Sequence, residues 1–125
     1  MDEKVLECIN EVSNILGNHY KENIYQNALF SELQLNSFIC QTEVIVPILY
    51  KNVYVGFERA DVVIYQDGNP FMILELKSQN SRLGYKEINQ IKKYMTNLNC
   101  EKGYLVNFYE TLEIYRISST NHERL

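Results

Sequence analysis

The sequence predicts an α/β protein in which a mixed β-sheet is flanked by helices, with the element order ααβββαββ. In the first part of the chain, up to about Leu35, apolar residues recur at the three- and four-residue spacing of amphipathic helices. From Ile39 the apolar period changes to two, which is typical of β-strands. A third helical pattern then lies between the last of these strands and two short apolar strands near the C-terminus. Helices before and within a run of strands predict one sheet packed against helices.

Length and composition indicate a single domain over residues 1–125. The hydrophobic content of 46% and the charged content of 22% are ordinary for a globular protein. No apolar run approaches the roughly 20 residues that span a bilayer, and the N-terminus is amphipathic and unlike a signal peptide. Three scattered cysteines without zinc spacing are typical of buried thiols. We therefore expect an intracellular protein of the cytoplasm or nucleus that has no membrane partner.

Two helices are predicted before the first strand. The first ends at Gly17, a typical C-terminal cap, and its apolar positions are Val5, Cys8, Ile9, Val12, Ile15 and Leu16. The second runs from about Tyr20 to Leu35, and its predicted buried positions are Ile24, Ala28, Leu29 and Leu33. Glu22 lies in its first turn, where the helix dipole favours an acidic residue in any protein.

Three strands follow the second helix. The first, over residues 39–50, contains Pro47, which indicates an edge strand or a bulge. A tight turn at residues 51–52 leads into a strand that continues through Asp61 to residue 65. The chain then turns around Asp67-Gly68 and returns as residues 71–77. Asp-Gly between two such arms is a strong signal for a β-hairpin.

The hairpin predicts that two acidic residues face each other. If its loop is centred on Gly68, Asp61 lies opposite Glu75, and the two-residue period puts Lys77 on the same face. Opposed like charges within apolar strands are destabilising unless a partner neutralises them. A divalent cation with hard oxygen ligands, Mg²⁺ or Mn²⁺, would do so. In the alternative, Asp61 pairs with Arg59 or Lys77 and Glu75 points to solvent.

The chain beyond Lys77 predicts a loop, a helix and two short strands. The loop covers residues 78–82, and the helix runs from about Tyr85 to Leu98 with a buried stripe at Ile88, Ile91, Met95 and Leu98. Gln90 and Tyr94 share a neighbouring flank of this helix. Apolar strands are predicted over residues 104–108 and 112–117, followed by a frayed polar tail from Ser118.

Charge is distributed unevenly around the proposed site. The net charge is −4, which argues against nucleic-acid binding by charge alone. Residues 1–40 carry two basic against six acidic side chains, whereas residues 75–102 carry six basic against three acidic ones. The basic excess therefore begins at Glu75, where a phosphate-binding face would need it, although a solvated helix face is the commoner explanation.

The order of elements, with an acidic residue on the second strand and E-x-K on the third, resembles the PD-(D/E)XK nuclease superfamily. Within it, residues 17–117 resemble the family of small proteins named for a GxxExxR signature. The matching stretches are residues 22–29, 50–53, 59–61 and 74–77, Gln90 with Tyr94, and residues 103–108. The chain departs from the pattern at His19, because family members usually carry glycine three residues before Glu22.

The resemblance implies a restriction-endonuclease-like core and a Mg²⁺-dependent (or Mn²⁺-dependent) nuclease. It implies that Asp61 and Glu75 are metal ligands and that Glu22 is an accessory carboxylate, acting on metal directly or through water. Lys77 would position the attacking water or stabilise the transition state, and Gln90 would orient the site.

Two functions from different classes follow. One is a metal-dependent nuclease that acts on nucleic acid in repair, recombination or defence, with DNA favoured over RNA as the predicted substrate. The other is a binding or scaffolding protein that keeps the fold and lacks the activity. Many tyrosines and an apolar final strand pair with an edge to cover also predict a homodimer.

Overall fold

The computed structural model describes all 125 residues, which form three α-helices and six β-strands. The helices are α1 (Asp2–Leu16), α2 (Glu22–Leu35) and α3 (Tyr85–Asn97). The strands are β1 (Ile39–Tyr50), β2 (Val53–Gln66), β3 (Asn69–Lys77), β4 (Lys102–Asn107), β5 (Glu113–Ile117) and β6 (His122–Arg124). The predicted order is confirmed, except that β6 forms in the tail that the sequence predicted to be frayed. None of the helices has the length and apolar character needed to cross a membrane.

All six strands form one mixed sheet in sequence order, from β1 to β6. Only β3 and β4 are parallel, and α3 makes the crossover between them, as parallel neighbours require. β1 is an edge strand, which confirms the position expected from Pro47, a residue that cannot donate a ladder hydrogen bond. β6 pairs with the outer side of β5, so the edge expected at the final strand pair is covered.

Each face of the sheet carries its own hydrophobic core. Helices α1 and α2 cover a cluster of 17 buried residues, and α3 covers a second cluster of 12.

In α2, Ile24 is 39% exposed and Tyr25 is fully buried, so the predicted buried stripe was wrong by one position there. Tyr25 stacks on Phe108 with ring centroids 4.4 Å apart, and its hydroxyl donates a 2.6 Å hydrogen bond to the Gly17 carbonyl. That bond satisfies the polar end of a buried aromatic residue, which amphipathic spacing alone does not anticipate. In α3 the buried stripe likewise includes Tyr94, while Leu98 is only partly buried.

The β2–β3 hairpin has the predicted register, but a β-bulge produces it and not the predicted loop. Its loop is the two-residue turn Asp67-Gly68, with φ angles of 54° and 80°, as a type I′ turn requires. This turn pairs Tyr65 with Pro70, and the register then shifts, so that Phe71 is an extra residue in β3. After this bulge Val62 lies opposite Leu74. The sequence-based assumption of a loop centred on Gly68 was wrong, and the bulge makes up the difference.

Candidate active site

Strands β2 and β3 separate at Asp61 and Glu75. Their backbone pairing runs from Gln66 to Val62, while β3 continues along β4 as far as Lys77. At the point of separation, the Asp61 N–H donates to Glu75 Oε1 over 2.8 Å, and the Leu76 N–H donates to Asp61 Oδ2 over 2.8 Å. The two carboxylates therefore accept hydrogen bonds that carbonyl groups would accept in a continuous ladder.

A break in the alternation of β2 occurs at the same position. Ala60 and Val63 both belong to the core beneath α3, although they are three residues apart. In the ladder between β1 and β2, the residues on either side of Glu43 and Asp61 are paired, but Glu43 and Asp61 are not. Glu43 also has a φ of 53°. Strand β2 thus rotates by one position at Asp61, so that Ala60 before it and Val63 after it both face α3.

Both carboxyl groups of the pair titrate above their usual range. Glu75 is only 3% exposed, and this burial raises the pKa of its carboxyl group well above the usual value, with the charge of Asp61 raising it further. Burial also raises the pKa of Asp61, which is partly exposed. The charge of Lys77 lowers the pKa of both groups, and that of Glu22 raises the pKa of Asp61. In the metal-free protein, the positive charge of Lys77 therefore does not offset the effects of burial and of the neighbouring negative charges on the pair.

Lys77 lies on the same face as the pair but forms an ion pair with neither carboxylate. Its Nζ donates a 3.3 Å hydrogen bond to Gln90 Oε1 on α3. Arg59 stacks on Phe57 instead, with its guanidinium carbon 5.3 Å from the ring centroid. The alternative pairing of Asp61 with Arg59 or Lys77, with Glu75 facing solvent, is thus wrong, because Glu75 is buried against Asp61.

Glu22 is the first residue of α2 and is exposed. It is close enough to the pair for its charge to raise the pKa of Asp61. The loop before it is tied to the site, because Ser78 Oγ, directly after Lys77, donates a 2.6 Å hydrogen bond to the Tyr20 carbonyl. His19 has a φ of 78°, a left-handed conformation that favours glycine. His19 thus adopts the backbone conformation that glycine would favour at this position, and histidine tolerates that conformation better than most residues.

Two further side chains at the site were not assigned a role from the sequence. Tyr94 is buried, its hydroxyl donates to Glu58 Oε2 over 3.4 Å, and burial raises its pKa, with the charges of Glu75 and Glu58 adding to the effect. Glu58 reaches α3 only because β2 rotates at Asp61, and no sequence signal indicates that rotation.

Asn107 is the second omission. It is 2% exposed, its Oδ1 accepts the Gln79 N–H over 3.0 Å, and its Nδ2 donates to the carbonyls of Gln79 and Ser81 over 3.1 and 3.3 Å. These bonds fix the loop that leads from Lys77 to α3. A polar residue within the apolar stretch of residues 104–108 was the signal that could have revealed it.

The carboxylate pair has the donor chemistry of a Mg²⁺ or Mn²⁺ site. No group of three or more His, Cys, Asp or Glu side chains at metal-binding distance occurs in the chain, so the site differs from a closed protein cage. Mg²⁺ is ordinarily held by one or two carboxylates, with water and substrate phosphate oxygens completing the shell. Asp61 and Glu75 match that requirement, and a bound cation would remove the charge deficit between them.

Comparisons with known proteins agree with this fold. A crystal structure titled "Crystal structure of SSO0001" superposes with a TM-score of 0.57 and 27% sequence identity over 77% of this chain. The matched region is 50% of that protein, so this chain spans about half of its length. No curated protein matches the chain significantly. The family model of the PD-(D/E)XK nuclease superfamily matches residues 1–117. The chain therefore belongs to the PD-(D/E)XK nuclease superfamily.

Proposed function

We propose that this chain is a divalent-metal-dependent nuclease that hydrolyses phosphodiester bonds of DNA. The observation that carries the proposal is the pairing of the partly exposed Asp61 with the buried Glu75 at the strand separation, with Lys77 and Gln90 beside it. The backbone N–H groups at the strand separation need acceptors but not negative charge, and burial raises the pKa of both carboxyl groups, with the charge of Asp61 raising that of Glu75 further. Superfamily membership supports the same reaction class.

Each residue has a distinct task in the proposed reaction. Asp61 and Glu75 would hold Mg²⁺ or Mn²⁺, and Glu22 would contribute an accessory carboxylate from α2, directly or through water. The bound ion would supply a Lewis acid for a non-bridging phosphate oxygen. The Lys77 ammonium would position the attacking water or stabilise charge that develops on the phosphorane-like transition state. Gln90 Oε1 accepts a hydrogen bond from Lys77 Nζ and would hold that ammonium in place beside the pair.

The finer assignments are part of the same proposal. The match at residues 22–29, 74–77 and 103–108 supports the GxxExxR family within the superfamily. None of the proposed groups needs a ribose 2′-hydroxyl, so DNA satisfies the chemistry. Three free cysteines, all buried, are consistent with a single domain that works inside the cell.

We also propose a homodimer, with the distal part of the β1–β2 hairpin as the contact. Seven large apolar side chains there are each 45–63% exposed: Ile45, Leu49, Tyr50, Val53, Tyr54, Val55 and Phe57. Exposed apolar patches of this kind mark interaction surfaces. Light scattering at high micromolar concentration should detect a dimer that Leu49→Lys dissociates. A monomer at that concentration contradicts this part of the proposal.

The decisive experiment for the nuclease combines Mn²⁺ calorimetry with cleavage of labelled single- and double-stranded DNA and RNA. Wild type should bind Mn²⁺ and cleave DNA, and Asp61→Asn should do neither. Asp67→Asn is the matched control, because it makes the same change in the exposed turn of the same hairpin, where asparagine is favoured. Ca²⁺ should bind with little turnover, since its looser coordination positions water less strictly. If wild type binds no divalent ion even with DNA present, or if Asp61→Asn cleaves DNA like wild type, the scaffold function replaces the nuclease.

A further inference from the structure

A polar cavity of about 270 Å³ lies near the end of β3 that carries Lys77. Its walls are residues 80–82 of the loop after β3, Asn107 at the end of β4, residues 109–111, Glu113 and Arg124. We call it the Glu113 pocket. Asn80 and Tyr109 also line a neighbouring cavity that contains Tyr20 and Ser78. Two polar cavities that share lining residues thus lie between Ser78, the residue after Lys77, and Glu113.

Glu113 is the unusual member of this pocket, because it is a carboxylate that is 4% exposed. Its Oε1 accepts a 3.3 Å hydrogen bond from the Leu83 N–H. Its Oε2 is buried and has no hydrogen-bond partner. The cationic atom nearest to Oε2 is Nη1 of Arg124, 4.0 Å away, which is too far for a hydrogen bond. A buried carboxylate oxygen without a hydrogen-bond donor costs free energy, so a ligand that brought a donor to it would be stabilised by that contact.

Strand pairing gives the separation between this oxygen and the proposed reaction centre. Lys77 pairs with Asn107 across β3 and β4, and Asn107 pairs with Glu113 across β4 and β5. Two strand spacings of about 4.8 Å put the Glu113 backbone about 10 Å from that of Lys77. Successive nucleotides rise roughly 3.4 Å along one strand of B-DNA, so this separation corresponds to two or three nucleotides.

We propose that the Glu113 pocket receives a nucleobase of the substrate strand and that Glu113 Oε2 accepts a hydrogen bond from its exocyclic amino group. This inference rests on the proposed nuclease function. Carboxylates of Glu and Asp recognise such groups in protein–DNA complexes by accepting a hydrogen bond from cytosine N4. Arg82 and Arg124, which also line the pocket, supply positive charge for the adjoining phosphates. Tyr109 supplies an aromatic wall for the base.

The pocket should therefore prefer amino-bearing bases to thymine and uracil. The imide N–H of uracil lies between two carbonyl oxygens, both of which would face a carboxylate and be repelled by it. Cytosine and uracil differ only at C4, which carries an amino group in cytosine and a carbonyl oxygen in uracil, and at N3, which carries a hydrogen only in uracil, so they form a matched pair of probes.

The first measurement is the binding of short labelled oligo(dC) and oligo(dU) to wild type and Glu113→Gln, in EDTA at about pH 8 to prevent cleavage. Wild type should bind oligo(dC) about tenfold more tightly, the factor expected for one hydrogen bond to a charged group. In Glu113→Gln that preference should disappear, because an amide can keep the Leu83 acceptor while placing NH₂ at Oε2. Equal binding by wild type, no binding of either oligomer, or a preference retained in Glu113→Gln overturns the proposal.

The second measurement separates a ligand site from a structural ion pair. Glu113→Gln should leave the melting temperature unchanged or raised, because it removes a buried negative charge whose Oε2 has no hydrogen-bond donor. If Glu113→Gln and Arg124→Gln both lower it, the two side chains form a stabilising ion pair and the proposal fails. Metal-free binding also separates this failure from that of the nuclease. A chain that prefers oligo(dC) but never cleaves keeps the subsite, and one that cleaves without base preference loses the subsite alone.

Discussion

Asp61 and Glu75 are joined by a 2.8 Å hydrogen bond from the backbone N–H of Asp61 to Glu75 Oε1. A second hydrogen bond of the same length runs from β3 to β2, from the Leu76 N–H to Asp61 Oδ2. The carboxylates therefore stabilise the point at which β2 and β3 separate, while their charges destabilise it. Charge and hydrogen-bonding capacity can be removed separately at Asp61, and the two changes have opposite expected effects.

Asp61→Asn should leave the metal-free free energy of unfolding unchanged or raised, because it removes a like charge and keeps an acceptor for the Leu76 N–H. Asp61→Ala should lower it by about 1–3 kcal/mol, the effect of leaving a buried donor unsatisfied. Urea denaturation in EDTA measures both values. Equal destabilisation by the two variants would show that charge repulsion between Asp61 and Glu75 does not lower the free energy of unfolding.

The raised pKa of Glu75 predicts a pH dependence of stability. Above the ordinary pKa of 4.5 and below the raised folded value, the folded state keeps a proton that the unfolded chain has lost. The metal-free free energy of unfolding should therefore fall as pH rises through that window and level off above it. Below pH 4.5 the group is protonated in both states and its contribution to stability is fully retained. Denaturation of wild type and Glu75→Gln across the window is the test, and identical slopes would contradict the assignment.

Lys77→Ala should keep most of the Mn²⁺ affinity and lower kcat by about 10²–10³-fold, because an ammonium acts on the transition state and does not ligate metal. Gln90→Ala should have a smaller effect, since Gln90 contacts the ammonium and not the carboxylates. Calorimetry and cleavage assays on the same preparations separate binding from turnover. Lys93→Ala, on the exposed side of α3, is the control and should match wild type.

Glu22→Gln should weaken Mn²⁺ binding and leave measurable cleavage. Glu22 is exposed and comes from a different element, and its connection to the pair is the effect of its charge on Asp61. The measurement is the dependence of cleavage rate on Mn²⁺ concentration, which should shift to higher concentration. If Glu22→Gln is as inactive as Asp61→Asn, Glu22 is a metal ligand of equal importance.

Gly103→Ala should destabilise the protein by about 1–3 kcal/mol, the range for overpacking a core. An added Cβ would lie 2.9 Å from Met95 Sδ, 3.0 Å from Ile91 Cδ1 and 3.4 Å from the Ile73 carbonyl oxygen. The close packing of α3 on β4 thus depends on this glycine. Thermal denaturation tests the expectation, and Gly84→Ala is the control, because its Cβ would meet only Glu87 Oε1, at 3.9 Å.

Elements and their order were predictable because their signals are local. Amphipathic spacing, the Asp67-Gly68 turn and the alternation of β1 each depend on a few neighbouring residues. Features that depend on tertiary contacts were not predictable. Tyr25 is buried in place of Ile24 because its hydroxyl reaches the Gly17 carbonyl, and β6 forms because β5 offers it an edge.

The proposed site shows the same division. Its central residues could be placed by counting along the hairpin, and the structure brings Asp61 and Glu75 together. Their neighbours could not be placed in this way. Glu58 depends on the rotation of β2 at Asp61, and Asn107 acts through a loop that is 26 to 28 residues away in sequence.

The bulge at Phe71 has a consequence for how this chain can change in length. The two-residue turn alone would place Asp61 opposite Leu74 and turn Glu75 towards the other face of the sheet. Gain or loss of one residue between Asp61 and Glu75 would therefore dismantle the site even if the hairpin still folded. The Lys51-Asn52 turn, at the far end of β2, carries no such restriction. We expect inserted tags and natural insertions at the Lys51-Asn52 turn to leave the carboxylate pair intact, even where they disturb the proposed dimer contact, and insertions between the two carboxylates to abolish the pair.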